Sequence, residues 1–276
     1  RGGRGRVFQQ GDGHHRCGGH RRDGGAQILY GDAVDGRGMR FNARLRVLSC
    51  NGEVQLHADR IEIRAAAETV LVFAARTSHN GFDRSPTRDG RDADADVAAD
   101  LAALQGSSYE ELLAHHVEDH TSLQSRVAID LGPARDEVPT ERRIAEYDGQ
   151  YDPGLAALVF QYGRYLMIAG SRPGTQPQNL QGIWNEEVIP TWNGADTTNI
   201  NLEMNFWPAY LANLSVFHEQ LFLLIVEFED NGAISALQSY GLPGWVAHHN
   251  TTIWRNTDPV DGAAQASFWN LSLIHI

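Results

Sequence analysis

Between residues 39 and 47 apolar and polar side chains alternate, Met39, Phe41, Ala43, Leu45 and Val47 against Arg40, Asn42, Arg44 and Arg46. A period of two is that of a half-buried strand. Strand-like runs follow at 54–57, 61–63 and 70–73, separated by Asn51-Gly52 and short polar breaks. Residues 26–90 are therefore expected to be antiparallel β-structure, the C-terminal part of a sandwich. From residue 92 the period becomes helical. Asp92, Asp94 and Asp96 precede Val97, Leu101 and Leu104, which places acids at a helix start where the macrodipole favours them. A second helix, opened by Ser107 or Ser108, carries Tyr109, Leu112, Leu113, His116, His120, Leu123 and Val127 on roughly one face. After a polar link at 131–150 a third begins with Asp152 as N-cap and Pro153 at the first position. It presents Leu155, Leu158, Val159, Tyr162, Leu166 and Ala169 on one face, and ends near Gly170 ahead of Pro173.

Two metal readings arise along this stretch. The spaced aspartates suggest a calcium loop, but the sixth position is Val97 rather than Gly and the twelfth is Ala103 rather than Glu. His116 and His120 have the i, i+4 spacing of a chelating pair, without the HExxH pattern of a zinc hydrolase. A histidine-bearing connector helix explains the same spacing.

The 276 residues are 42% hydrophobic, which excludes disorder of the whole chain and a disulfide-stapled miniature. The net charge is −12, and every cation is Arg because lysine is absent, so a nucleic-acid partner is not expected. The longest apolar runs, such as 221–226, fall far short of the ~20 residues that cross a bilayer, so no membrane partner is expected either. Cys17 and Cys50 are too far apart in sequence for a dithiol or metal spacing. Residues 1–25 hold six arginines and nine glycines, and are expected to be a disordered or non-native leader rather than an RNA-binding arm. The leader has no apolar stretch of the kind a secretion signal needs, which leaves the compartment open.

The last hundred residues differ from the rest. Residues 173–276 contain all six tryptophans and eleven of the fourteen asparagines, and their only cation besides histidine is Arg255, against ten acids. Phosphate or sulfate ligands need clustered cations, and this segment lacks them. Neutral sugars need amides and carboxylates for their hydroxyls and aromatic faces for their C–H surfaces, and those it has. Composition alone equally allows core tryptophans and turn-forming asparagines.

Order within the segment decides. The run Ser171-Arg-Pro-Gly-Thr-Gln-Pro-Gln-Asn-Leu-Gln-Gly-Ile-Trp-Asn185, then Asn199-Ile-Asn-Leu-Glu-Met-Asn-Phe-Trp-Pro208, then Gly244-Trp-Val-Ala-His-His-Asn250 with Trp254 and Arg255, resembles glycoside hydrolase family 95, the α-L-fucosidases. The match is strong over 150–262. Over 35–130 it is weaker, resting on Gly38-Met-Arg-Phe41 and Thr77-Ser-His-Asn-Gly-Phe82. The resemblance implies a multidomain α and β fold: the end of an N-terminal β-sandwich (26–90), a helical linker (91–150) and the first helices of an (α/α)6 barrel (151–276). Twelve helices of ~11 residues with loops need roughly twice the residues after position 150, so the barrel is expected to be incomplete. The tail 263–276 departs from the family and looks foreign or truncated.

The resemblance also implies an inverting hydrolysis of α-L-fucosidic linkages in a neutral fucosylated glycan, with no cofactor and no metal. Asn199 and Asn201 match the pair that positions the attacking water. Alternation in an extended segment would put both carboxamides on one side, though either could instead cap the helix that follows. Asn179, Gln181, Trp184, His248, His249 and Asn250 match candidate sugar contacts. Glu186, Glu187 and Glu203 are not assigned as the acid, because the family's proton donor lies beyond this sequence. The remainder of the catalytic domain is thus an expected partner, and the chain alone is expected to be inactive. Residues 193–197 (Asn-Gly-Ala-Asp-Thr) and Thr252 depart from the family pattern, which leaves L-fucoside and L-galactoside open. Rival readings are a non-catalytic carbohydrate-binding module, which needs a flat exposed aromatic platform, and a metal hydrolase built from His116, His120, His248 and His249.

Overall fold

The computed structural model describes residues 7–8, 39–149, 152–186 and 190–259. The fold is a mixed α/β one, in two units, Arg1–Ala114 and His115–Ile276. Apart from Val7–Phe8, the Arg/Gly-rich leader lies outside the described residues, as do Glu187, Trp269 and the tail 263–276.

The first unit is a three-stranded antiparallel sheet in the order β1 (Val7–Phe8), β2 (Phe41–Cys50), β5 (Thr69–Thr77), with a hairpin of β3 (Glu53–Leu56) and β4 (Ile61–Arg64) between β2 and β5 in sequence. β2 pairs with β5 from Phe41↔Thr77 to Cys50↔Thr69, with a bulge between Val47 and Ser49. Asn51-Gly52 therefore leaves β2 without pairing β2 to β3. The Asn51 side-chain oxygen accepts from the Ala67 and Glu68 amides at 2.9 and 3.0 Å, and a Cβ on Gly52 would stand 2.4 Å from the Arg64 carbonyl oxygen.

Helix α1 (Ala93–Ala103) packs on β2 and β5. Asp92 caps it, accepting from the Asp94 and Ala95 amides. Asp96 pairs with Arg91, and two other aspartates serve the sheet. Asp94 accepts from Asn42 and Arg44, and Asp100 takes a bidentate pair from Arg76 at 2.7 and 2.9 Å. These contacts put α1 on the Asn42/Arg44/Arg76 face. The opposite face carries Leu45 and Val47 directly across from Phe73 and Leu71, and Leu71 and Phe73 are 48% and 67% exposed. The expected alternation is present, but its apolar side is the open one among the described residues.

The second unit is helical. It runs from the later part of α2 (Tyr109–Gln124) through α3 (Thr140–Ala145), α4 (Pro153–Gly170), α5 (Asn201–Phe206), α6 (Pro208–Leu211) and α7 (His218–Tyr240). Asp152 caps α4 at the Leu155 amide, with Pro153 first, as the sequence predicts. The buried face of α4 is not the predicted one. Leu155, Arg164, Met167 and Ile168 are buried, while Val159 and Tyr162 are 63% and 58% exposed. α4 is apolar over more than one stripe, so periodicity could not select between them. Likewise only Leu123 of the α2 stripe is buried. The core joins Leu123, Met167 and Ile168 to Leu202, Phe206, Leu214, Phe217, Leu224 and Phe228.

Arg143 is buried and donates to Asp152 at 2.7 Å, holding its carboxyl below the usual range with help from the Leu155 amide. Asp152 thus contributes stability above the ordinary carboxylate range, and that contribution is lost on acidification through the depressed value. Arg143→Ala is expected to lower stability in urea unfolding at pH 7, because it removes the guanidinium that holds the Asp152 carboxylate.

Candidate functional site

The three blocks singled out in the sequence meet. In the first, Asn179 and Gly182 close a tight turn, with the Gly182 amide donating to the Asn179 carbonyl and the Gln181 amide to the Asn179 side chain. Asn179 Nδ2 reaches the Gly194 carbonyl in the loop ahead of the second block, and Asn205 Nδ2, within that block, donates back to the Gln178 and Asn179 carbonyls. Just ahead of the second block, β6 (Asp196–Thr197) pairs with β7 (Asn250–Thr251) at the end of the third. Thr198 extends the pairing by donating its amide to the His249 carbonyl at 2.7 Å and its hydroxyl to that of His248.

Asn199 lies in the turn 198–200, and Asn201 opens α5. The extended segment expected here is absent, because the Met204 amide already bonds the Ile200 carbonyl and winds the chain into helix. Strand alternation therefore does not relate the two carboxamides. Capping does not occupy them either. The N-cap of α5 is Ile200 and no side chain caps the helix, while Asn199 Oδ1 is buried without a partner among the described residues.

Two cavities lie beside this junction. The first, about 450 Å³, is lined by Asn179, Gln181, Trp184, Arg164 and Asn205 among others. Its amides are mostly committed to the protein itself, Gln178 to Ser171 Oγ and Asn205 to main-chain carbonyls. The second, about 300 Å³, is lined by Asn179, Gln176, Arg172, Ile183, Asp196 and Ile253 among others. Asn199 and Asn201 line neither.

His248, His249 and Asn250 also line neither cavity. His248 is fully buried, its Nδ1 donating to the Thr257 carbonyl and its Nε2 meeting the Tyr240 hydroxyl, both at 2.6 Å. It anchors the loop and has no nitrogen left for a sugar or a zinc ion, which removes the four-histidine metal site. Burial lowers the His249 pKa, with His248 adding to the effect, so the ring is neutral at pH 7. The Asn250 side chain accepts from the Thr197 hydroxyl. Glu186 is exposed, and Glu203 sits half-buried in the first turn of α5.

The sequence reading assigned no role to Asp196 or Arg255. Arg255 is buried with φ +52°, donating to Glu227 at 2.6 Å and to Gln176 at 2.7 Å. Asn231 Nδ2 holds its carbonyl from α7. Asp196 is 6% exposed, and its Oδ1 has no partner among the described residues. Burial pushes its carboxyl up to about 6, against a smaller downward pull from Arg255. Folding therefore raises this pKa, so the folded chain holds a proton that the unfolded chain releases between about pH 4 and 6. Stability falls with rising pH across that window. Asp196→Asn is expected to raise the melting temperature by roughly 4–8 °C at pH 7.5 and leave it unchanged at pH 4, read by calorimetry.

With this geometry in place, the comparison with known proteins is direct. Residues 108–275 match the model of the glycosyl hydrolase family 95 catalytic domain. The chain belongs to glycosyl hydrolase family 95. It is 36% identical over 243 residues to Alpha-L-fucosidase 2 of Arabidopsis thaliana, an alignment covering 85% of this chain and 29% of that protein. It is 32% identical over 257 residues to Probable alpha-fucosidase A of Aspergillus niger, covering 89% and 32%, and 31% identical to the Aspergillus oryzae protein of the same name over 207 residues, covering 71% and 29%. The chain thus spans less than a third of these family 95 relatives. All three junction blocks fall inside the family 95 match.

Proposed function

We infer that this chain is part of an inverting family 95 α-L-fucosidase and supplies the two amides that hold the attacking water. The observation that carries this reading is the state of Asn199 and Asn201. They stand where the three blocks converge, and neither carboxamide hydrogen-bonds another described residue. An amide is no base at neutral pH, so its work is to orient water and relay polarisation from a carboxylate. The proton donor belongs to other residues of a complete catalytic domain. The names of the relatives support a fucosylated glycan as substrate.

The fold reading goes with it. The open Leu45/Val47/Leu71/Phe73 face suits the inner face of a sandwich, and the helices after residue 150 suit part of an (α/α)6 barrel. α7 buries Leu224, Phe228 and Ala236 yet exposes Phe222, Leu223, Val226, Ile234 and Leu237. Large apolar side chains on more than one side of a helix call for packing on more than one side. That same pattern argues against a carbohydrate-binding platform. Trp192, Trp207 and Trp245 are exposed, but so are aliphatic side chains such as Leu211, which offer sugars no aromatic face.

The test is hydrolysis of an aryl α-L-fucoside. The 276-residue chain alone is expected to show no turnover. In an enzyme that joins it to the rest of the catalytic domain, Asn199→Ala and Asn201→Ala are expected to cut kcat strongly. Turnover by the chain alone that Asn201→Ala abolishes would overturn this division of labour.

A further inference from the structure

The smaller cavity holds a group that neither the fold nor the water-positioning role uses. Asp196 lines it, is 6% exposed, and keeps an oxygen with no hydrogen-bond donor among the described residues. A buried acceptor left without a donor is costly, so a native site of this kind is completed by something the protein binds. Arg255 does not complete it. Its Nε is committed to Glu227, its Nη2 to Gln176 and its Nη1 to the Thr252 carbonyl.

The surrounding backbone is strained in the way ligand sites often are. Trp192 and Arg255, on the two segments that meet here, have φ of +58° and +52°, a region that non-glycine residues enter rarely. The larger cavity differs in kind. Its arginine, Arg164, already serves carbonyls of Leu123, Gln124, Val127 and Ala212, and Gln178 and Asn205 are likewise engaged.

The chemistry of the smaller cavity narrows what it takes. An anion would face a buried carboxylate. A cation would face the Arg172 guanidinium in the lining and the field of Arg255, which already acts on Asp196. A neutral hydroxyl donor meets neither obstacle. The cavity's volume of about 300 Å³ is at the small end of ligand sites, and Pro177, Ile183 and Ile253 give it an apolar wall. One pyranose ring with a hydroxyl toward Asp196 and C–H or methyl groups toward the isoleucines matches this combination.

We propose that this cavity is a monosaccharide subsite in which the Asp196 carboxylate accepts a hydrogen bond from a sugar hydroxyl while Ile183 and Ile253 pack against the apolar side of the ring. The choice of a neutral sugar rests on the family 95 reading above. Asp196 acts by binding and takes no part in the bond cleavage; it lies three and five residues ahead of the two amides, neither of which lines this cavity.

The test is a titration of the 276-residue chain, labelled at isoleucine and leucine methyls and aspartate carboxyls, with L-fucose followed by NMR. The methyls of Ile183 and Ile253 are expected to shift saturably while that of Ile144 stays fixed. Saturation is also expected to move the Asp196 carboxyl titration downward, because an engaged hydroxyl donor favours the charged form. Asp196→Asn and Asp196→Ala are each expected to weaken binding at least about tenfold with methyl spectra otherwise retained. Unchanged affinity in both variants overturns the proposal, as does the absence of any saturable shift at Ile183 and Ile253. Shifts confined to Leu166 and Leu214 of the larger cavity overturn it as well, and leave the family 95 reading intact. Failure of that reading shows separately, in the kinetics of the Asn199 and Asn201 variants.

Discussion

Arg164→Met is expected to destabilise the chain by about 3–5 kcal/mol in urea unfolding, the largest stability effect of any single substitution considered. Arg164 is 3% exposed and has no carboxylate among its hydrogen-bond partners in the described residues. Its guanidinium donates to the carbonyls of Leu123 at 3.0 Å, Gln124 at 2.6 Å, Val127 at 3.2 Å and Ala212 at 3.2 Å, and to Gln161 Oε1 at 2.9 Å. Leu123 and Gln124 close α2, where the last carbonyls have no helical partner and the macrodipole is negative. One planar fork thus ties the end of α2 to α4 and to the residue after α6. Burial lowers its pKa, but a guanidinium keeps its charge at any working pH. Methionine retains most of the apolar stem and leaves the Gln124 and Ala212 carbonyls unserved, while Leu123 keeps the Arg126 amide and Val127 keeps Gln161. Arg164→Lys, a point charge without the fork, is expected to recover only part of the loss. A cost of less than about 1 kcal/mol for Arg164→Met would show that these carbonyls find other partners.

If Asn199 and Asn201 hold the attacking water as proposed, alanine at either is expected to cut kcat by about 10²–10⁴ while KM changes only a few-fold. The reasoning is local. Asn199 sits in a turn fixed by Thr198 on the His248 and His249 carbonyls, and Asn201 in the first turn of a helix whose Leu202 and Phe206 are buried in the core. Both backbones are therefore rigid, and alanine removes the amide without moving its support. A group that touches only the nucleophile acts on the transition state more than on substrate binding, which separates kcat from KM. Asn205 gives the contrast. It staples the first block through two carbonyls, so Asn205→Ala is expected to lower stability together with activity.

Much of the fold was legible because local chemistry decided it. Asp92 and Asp152 cap their helices, Pro153 starts α4 and Gly170 ends it, and the alternating residues from 41 onward form an antiparallel sheet. Gly170 had a further reason that no local pattern contains, since a Cβ there would stand 2.6 Å from the Gln178 side chain. What stayed illegible depends on partners distant in sequence. Which stripe of α4 is buried, and which face of the β2/β5 pair α1 covers, turn on Arg164 and on Asp94 and Asp100 meeting arginines of the strands. α7 read only as a short apolar run, because its apolar positions fall on several faces among Glu219, Glu227, Glu229 and Asp230 and leave no single stripe to detect. At the site, the family blocks located the junction and the amides, but His248 as a sugar contact was a matter of sequence order alone. Its two nitrogens are taken by Tyr240 and Thr257, and only coordinates reveal that. Asp196 gave no signal, being one acid in a polar loop until burial distinguishes it.

The central claim is that Asn199 and Asn201 hold one water together. It is tested most directly by a double-mutant cycle on kcat for an aryl α-L-fucoside, in the enzyme that joins this chain to the rest of its catalytic domain. If the two amides act as a unit, the Asn199→Ala/Asn201→Ala enzyme is expected to be only a few-fold slower than either single variant. Losses that multiply fully, or single variants that keep near-normal kcat, would contradict it.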